Sequence, residues 1–455
     1  MNSTRIRRMT YCVCVALTLL APAAAQGAAK QRTVKSELTR LASSGAITAA
    51  ERGERLAAFN AAKRSARRLP RGTTRKTELT GVVRIVEGIA ARRTLTGPRL
   101  VPLWMTLERN RAYWTTHTFG PSTRRISFPG SELVWQYFPG QGLQFHPLAN
   151  FAKLNQLWAE RSDAMGTLLD ELLALRVPRA GGVAWEYYFA FGGGNPPWVS
   201  GLAQGTGIQS IARVAQRTGR KEEVLPIAQQ ALGVFKTATP EGVRVPASDG
   251  AEYALYSFAP ELHVINGFVQ ALVGLYDLGK IAGDADAKAL YADGERVARR
   301  ALPTFDTGAW SLYSRGSVER ESDLSYHQLL RAFLRSMCTR TEDPVYCDTE
   351  LRFAQYELEE PQISLVTARL RGGTLGKLRL RLSKISRVGV RVSRGGKLVS
   401  TRAAVVVGHG TRTLGWAVPR KAGDYDVTLT AVDLAGNVGT AAGTIEVLKP
   451  SRRAR

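Results

Sequence analysis

Cysteine and histidine are scarce in this 455-residue chain, with 4 and 5 copies. The histidines, His117, His146, His263, His327 and His409, never fall at the i, i+4 spacing of a helical metal site. No G-x-S-x-G elbow and no P-loop lysine is present, which excludes a serine-hydrolase turn and a nucleotide cradle. No Asp-rich loop argues for calcium. The residues therefore call for no metal and no cofactor. Long apolar runs are missing too. Beyond the first residues, no stretch approaches the roughly 20 apolar residues of a membrane span without charges or glycines.

The beginning of the chain reads as an export signal over residues 1–25. Arg5, Arg7 and Arg8 precede an apolar run at 11–20, and Ala23, Ala24 and Ala25 supply the small residues of a cleavage site. The run is too short for an anchor, so the protein is expected to be secreted or held at the cell surface, with no transmembrane anchor after cleavage. Cys12 and Cys14 lie inside the signal. The remaining pair, Cys338 and Cys347, reads either as a short disulfide loop, which an oxidising compartment permits, or as two free thiols.

Charge is unevenly placed. Residues 1–130 carry 24 basic and 6 acidic side chains, 131–360 carry 21 and 28, and 361–455 carry 18 and 4. The formal net charge of +25 therefore resides in the flanks. Such a chain attracts polyanions over long range. Export sets nucleic acid aside and leaves an acidic polysaccharide or a cell-wall glycan as partner. A solvated arginine-rich surface is the bland alternative. A homodimer is left open.

The length calls for two to three domains. Residues 26–130 read as a helical extension followed by an aromatic, turn-rich linker. Val34, Leu38 and Leu41 recur at helical spacing, Thr48 and Glu51 resemble a capping box, and a third helix is expected over 79–93. Residues 131–360 alternate helical patterns with loops, with helices expected at 147–159, 163–175, 200–218, 221–236, 262–280, 285–302, 323–337 and 344–358. Paired helices of this kind suit an (α/α) toroid or barrel. Beyond Pro361 the period drops to two, as in Leu378, Leu380 and Leu382 or Tyr425, Val427 and Leu429, with turns at Gly372-Gly373, Gly395-Gly396 and Gly436-Asn437. A β-sandwich of about seven strands over 361–450, ending in a basic tail at 451–455, is the simplest reading. The whole is expected to be a multi-domain α + β protein.

Three aromatic stretches invite chemistry. They are Tyr253-Ala254-Leu255-Tyr256-Ser257-Phe258, Trp310-Ser311-Leu312-Tyr313 and Asp323-Leu324-Ser325-Tyr326-His327. Taken singly, each tyrosine reads as a core residue with a satisfied hydroxyl. The loop Phe191-Gly192-Gly193-Gly194-Asn195-Pro196-Pro197-Trp198 leads into a helix and offers Trp198 as a wall.

Taken together, the stretches resemble a known family. Gln144-Phe145-His146-Pro147-Leu148-Ala149-Asn150, Trp198-Val199-Ser200-Gly201-Leu202-Ala203-Gln204-Gly205, Val264-Ile265-Asn266-Gly267-Phe268, Phe305-Asp306-Thr307-Gly308 and Asp323-Leu324-Ser325-Tyr326-His327 resemble, in order, the C-terminal region of the D-glucuronyl C5-epimerases. Val432-Asp433-Leu434-Ala435-Gly436-Asn437 resembles the last turn of Ig-like and fibronectin-like modules, commonly spacers or binding accessories. The resemblance implies an (α/α) toroid and a carbohydrate isomerase of the heparosan-N-sulfate-glucuronate 5-epimerase kind, acting on a heparan-type or related glycosaminoglycan-like polymer. It implies proton transfer by Tyr256, Tyr313 and Tyr326. By residue type, His146, Asn150, Gln204 and Asn266 are candidates for sugar hydroxyls, Arg315 or Arg331 for the uronate, Trp185 and Trp198 for stacking on sugar rings, and His327, beside Tyr326, for contacting substrate and assisting proton transfer. The family's glutamate before the first tyrosine is replaced here by Leu255. That departure keeps a uronate lyase and a non-catalytic glycan-binding protein in view.

Overall fold

The computed structural model describes residues 32–117 and 125–451. The expected signal and most of the basic tail lie outside the described residues.

Four helices open the chain: α1 (Val34–Ser43), α2 (Ala49–Arg68), α3 (Thr74–Ala91) and α4 (Gly97–Thr116). The capping box is formed, with Glu51 N–H donating to Thr48 Oγ1 at 3.1 Å and Thr48 N–H to Glu51 Oε2 at 2.7 Å. The fourth helix corrects the linker expected there. Leu100, Leu103, Trp104, Leu107 and Trp114 form a buried stripe at helical spacing, and Pro98 and Pro102 disguise it in sequence. Pro98 costs nothing at the first turn, where an N–H has no partner anyway.

A three-stranded sheet follows, of β1 (Arg125–Ser127), β2 (Val134–Phe138) and β3 (Gly142–Phe145). Then come α5 (Pro147–Glu160), α6 (Ala164–Ala174), the hairpin β4 (Val177–Arg179) and β5 (Gly182–Ala184), α7 (Gly201–Arg217), α8 (Lys221–Gln230) and the single turn α9 (Gly233–Lys236). The expected helix over 221–236 is thus broken in two. After the hairpin β6 (Arg244–Ala247) and β7 (Gly250–Tyr253) comes β8 (Leu262–Val264), so the helix expected from 262 begins as α10 (Ile265–Ile281). The helical part closes with α11 (Ala285–Ala301), β9 (Leu312–Gly316), β10 (Arg320–Glu321), α12 (Leu324–Thr341) and α13 (Pro344–Tyr356).

Helices α5, α7, α10 and α12 are neighbours in an inner row, each backed by the helix that follows it. Helices α7 and α10 approach closely: a Cβ on Gly274 would stand 2.1–2.9 Å from Gly205 backbone atoms, its nearest contact being Gly205 O at 2.1 Å. Only glycine permits that contact. A disulfide joins Cys338 and Cys347, tying α12 to α13.

The last part holds eight strands rather than seven: β11 (Ile363–Leu365), β12 (Arg369–Arg371), β13 (Leu375–Leu382), β14 (Ser386–Arg394), β15 (Lys397–Val407), β16 (Gly410–Ala417), β17 (Gly423–Asp433) and β18 (Val438–Leu448). They form sheets ordered β11-β13-β16 and β12-β18-β17-β14-β15. Leu378, Leu380, Val390, Trp416, Tyr425 and Val427 share one apolar core. Alternation along β13 is complete, apolar inward and Lys377, Arg379 and Arg381 outward.

These sheets are fastened to the helices by buried polar contacts rather than hung from a tether. Lys384 pairs with Asp433 at 2.8 Å and donates to Tyr356 O at 2.7 Å, with both ion-pair side chains 1% exposed. Glu321 accepts from Ile385 N–H at 2.8 Å and His409 N–H at 2.7 Å. Losing any of these partners would leave a buried polar group unpaired, at about 1–3 kcal/mol each.

Candidate active site

Each inner helix begins at the same place. His146 caps α5 by accepting from Ala149 N–H at 3.1 Å, Ser200 caps α7, Asn266 sits in the first turn of α10, and Tyr326 in the first turn of α12. All four residues line one cavity of about 420 Å³. Four helix N-termini, each equivalent to roughly half a positive charge, thus face a common space. The far wall is aromatic: Phe138 from β2, and Tyr187, Phe189, Phe191 and Trp198 from the loop between β5 and α7. Tyr187 and Trp198 stack at 4.0 Å between centroids. Gly194 lets this loop close, since a Cβ there would stand 2.3 Å from the Phe258 ring.

Tyr256, Tyr313 and Tyr326 all line this cavity. Tyr313 lies on β9 and Tyr326 in the first turn of α12, with ring centroids 4.5 Å apart. Asp323 accepts from Tyr326 N–H at 2.8 Å and so fixes the turn that carries it. Tyr256 stands edge-on to Trp198 at 5.7 Å and stacks with Phe258 at 5.4 Å. The Arg320 guanidinium covers the Tyr313 ring at 5.0 Å.

Burial raises two of the phenols. Burial, with smaller contributions from Tyr326 and Tyr187, pushes Tyr256 up to about 12, while the Tyr313 hydroxyl eases its ionisation. Tyr313 is raised as well, by burial first and then by Tyr256 and Tyr326. Burial, and then Arg125, pushes His146 down to about 4. With Nδ1 committed as the cap acceptor, its Nε2 carries the proton and remains as a donor.

No aspartate or glutamate is among the described residues lining the cavity, and Leu255 lines it instead. The nearby carboxylates are engaged elsewhere. Glu252 meets His263 Nδ1 at 2.6 Å, and neither Glu252 nor Glu261 reaches the wall.

Five of the expected binding residues are corrected. Asn150 bonds to Val134 N–H and C=O, both at 2.9 Å, and holds β2 against α5. Trp185 is buried and donates to Leu172 O at 2.6 Å, and Gln204 Nε2 donates to Trp185 O at 2.9 Å. His327 is fully buried, stacks on Trp310 at 3.8 Å, and bonds to Ser311 at 2.8 Å and to Phe353 O at 2.9 Å. Arg315 lies off the cavity, 3.8 Å from Glu319. The polar atoms of the first four serve the backbone or the core and are not available to a sugar, while the partly exposed Arg315 points to the surface pair with Glu319 instead of the cavity. Of the expected binding residues, His146, Trp198 and Asn266 do reach the wall.

Sequence reading missed Arg125, Gln136, Tyr187, Phe189, Phe191, Ser200 and Arg320. One signal was readable: Tyr187, Phe189 and Phe191 alternate at i, i+2 and i+4, which puts three rings on one side of an extended segment.

Among the described residues, no cluster of three or more His, Cys, Asp or Glu is placed to hold a metal ion, and no helix is long and apolar enough to cross a membrane.

Residues 181–355 match the family model described as the D-glucuronyl C5-epimerase C-terminus. A D-glucuronyl C5-epimerase of Caenorhabditis elegans is 30% identical over 179 residues, covering 35% of this chain and 29% of that protein. An uncharacterized protein of Methanocaldococcus jannaschii is 28% identical over 172 residues, covering 36% of this chain and 54% of its own length. The chain thus spans about a third to a half of these relatives. Among solved structures, a cellobiose 2-epimerase from Spirochaeta thermophila DSM 6192 superposes with a TM-score of 0.37 at 17% identity, covering 57% of this chain and 69% of that one. The superposition is too loose to bear on the site. The matched residues contain all three tyrosines and bear out the family resemblance read from the sequence.

Proposed function

We propose, taking residues 181–355 as a D-glucuronyl C5-epimerase C-terminal region, that the protein is an exported polysaccharide C5-epimerase converting glucuronate to iduronate in an acidic glycan. The observation that carries the reading is the meeting of three phenols from three separate segments in one cavity ringed by helix N-termini. Residues 26–130 act as a helical extension, 131–360 as the toroidal catalytic domain, and 361–450 as an Ig-like sandwich.

The chemistry follows from the weak acidity of C5–H. Removing that proton leaves an enediolate, which is tolerable only if the adjoining carboxylate meets positive charge. The helix ends supply it, together with Arg125 on the wall and Arg320 over Tyr313. Absence of an acidic side chain among the described lining residues spares the anionic substrate repulsion. Tyr256, its own proton first lost to solvent, takes the C5 proton as a phenolate on one face. Tyr313, backed by Tyr326, gives its proton to C5 on the other face and is reprotonated from solvent as Tyr256 sheds the proton it took. His146 and Asn266 bond to ring hydroxyls, and Trp198 with Phe191 forms an apolar seat for the sugar ring.

Deuterium incorporation from solvent at C5 of a glucuronate polymer tests the reading. No exchange with any uronate polymer would overturn it. Leu255 favours a second reading, in which the same proton abstraction ends in elimination at C4 or the site only binds. Appearance of unsaturated uronate absorbance distinguishes a lyase, and unchanged glycan affinity in the triple Tyr→Phe variant, with no turnover to lose, distinguishes a binding protein.

A further inference from the structure

The two sheets of the C-terminal part differ in charge. All four acidic residues beyond position 360, Asp424, Asp426, Asp433 and Glu446, lie on β17 and β18 of the five-stranded sheet. The three-stranded sheet β11-β13-β16 contains none. On its outer side Lys377, Arg379 and Arg381 are exposed in alternation along the central strand β13. That repeat spaces them about 7 Å apart. Arg379 stands opposite Thr413, and Arg381 opposite Thr411 on one side and Ser364 on the other. Neutral hydroxyls thus flank the cations where a solvated face would place carboxylates. None of the three cations forms an ion pair among the described residues, whereas the buried Lys384, in the connection from β13 to β14, is paired with Asp433.

The row does not end in open solvent. Arg381 and Ser364 also line a cavity of about 550 Å³ at the junction with the helical domain, closed by Thr307, Gly308 and His409. Thr307 and Gly308 precede β9, the strand that presents Tyr313.

We propose that this face is a binding track for an acidic polysaccharide, in which Lys377, Arg379 and Arg381 meet successive carboxylates and the flanking hydroxyls meet sugar oxygens. Periodic cations with neutral donors between them suit a chain that carries both charge and hydroxyls along its length. The track is a second site, apart from the tyrosine cavity, and it rests on the reading of the substrate as a uronate polymer. A bare polyanion such as duplex DNA would use the cations and leave the hydroxyls idle.

The test is titration of the full-length protein with hyaluronan, a glucuronate polymer without sulfate, with dextran as the neutral control and duplex DNA as the competing polyanion, at two salt concentrations. The variant K377T/R379T/R381T is expected to bind hyaluronan at least tenfold more weakly and to show a flatter salt dependence. The charge-matched variant R387T/R391T/K397T on the other sheet is expected to change affinity less than threefold. All six positions are exposed, so circular dichroism melts should coincide with wild type. Equal losses in the two triple variants, or no loss in the first, would overturn the proposal, as would DNA binding as tight as hyaluronan binding. Should no uronate polymer exchange at C5, the epimerase reading fails while a retained, track-dependent affinity still supports this site.

Discussion

The tyrosine cavity and the Trp310–His327 cluster behind it are built from the same stretch of chain, and they differ in how fully their polar atoms are satisfied. Tyr326 and His327 are adjacent, yet the first is 36% exposed at the cavity and the second fully buried. His327 spends both ring nitrogens, Nε2 donating to Phe353 O and Nδ1 accepting from Ser311. Ser311 is met by Ser322, and Trp310 Nε1 donates to Ser322 O. The phenols opposite have no such closed circuit. A saturated cluster holds structure, because any proton it moved would break a buried bond. An unsaturated cluster in a cavity has capacity left for a substrate.

The sharpest way to break this comparison is to remove single hydroxyls on the open side. Tyr256→Phe or Tyr313→Phe should lower solvent exchange at C5 by roughly 10²–10⁴-fold, with urea midpoints close to wild type. A large stability loss would place these phenols with the structural cluster.

On the closed side the expectation reverses. His327→Ala should destabilise the protein by about 3 kcal/mol, with exchange falling only as the folded fraction falls. Full activity loss in a protein of undiminished stability would move His327 to the catalytic side.

Glu321 extends the closed side into the sheets. Glu321→Ala leaves the Ile385 and His409 amides unpaired and should cost about 2–3 kcal/mol. Calorimetry should then show the sheets melting apart from the helices. Glu321→Gln, which keeps an acceptor oxygen, should cost less.

The smallest effect concerns pH. His146 is neutral in the fold, pushed down to about 4 mainly by burial. The unfolded chain binds its proton more readily, so this stabilisation is complete above about pH 6.5 and is lost as pH falls towards 4. Its size should be about 1–3 kcal/mol. His146→Asn keeps a capping acceptor without titrating, so the difference between the two proteins in denaturant titrations from pH 7 to 4 isolates it. Parallel curves would show that His146 carries no such penalty.

Much of the architecture was legible because it is local. Helices α5, α7 and α11 begin within one residue of their expected starts, where caps and apolar spacing coincide. The strands of the last part announce themselves by alternation, and the paired cysteines lie close enough in sequence to meet. Where local signals conflicted, reading failed: prolines hid α4, and β8 shares its apolar residues with the helix that follows. The candidate site was legible only as a set of names. Asn150, Trp185, Gln204 and His327 have the residue types of sugar ligands, and nothing local distinguishes them from Asn266 or Trp198.

The sequence by itself determined the elements, the change of period after residue 360, and the segregation of charge into the flanks, because each depends on neighbours a few positions apart. Only the tertiary structure decided which side chains face the cavity. One residue step along the helix separates Tyr326 from His327 by about 100°, and whether a given direction ends in solvent-filled space or in another helix depends on residues far away in the chain. Convergence of Tyr256, Tyr313 and Tyr326 beneath four helix ends is a property of that packing alone.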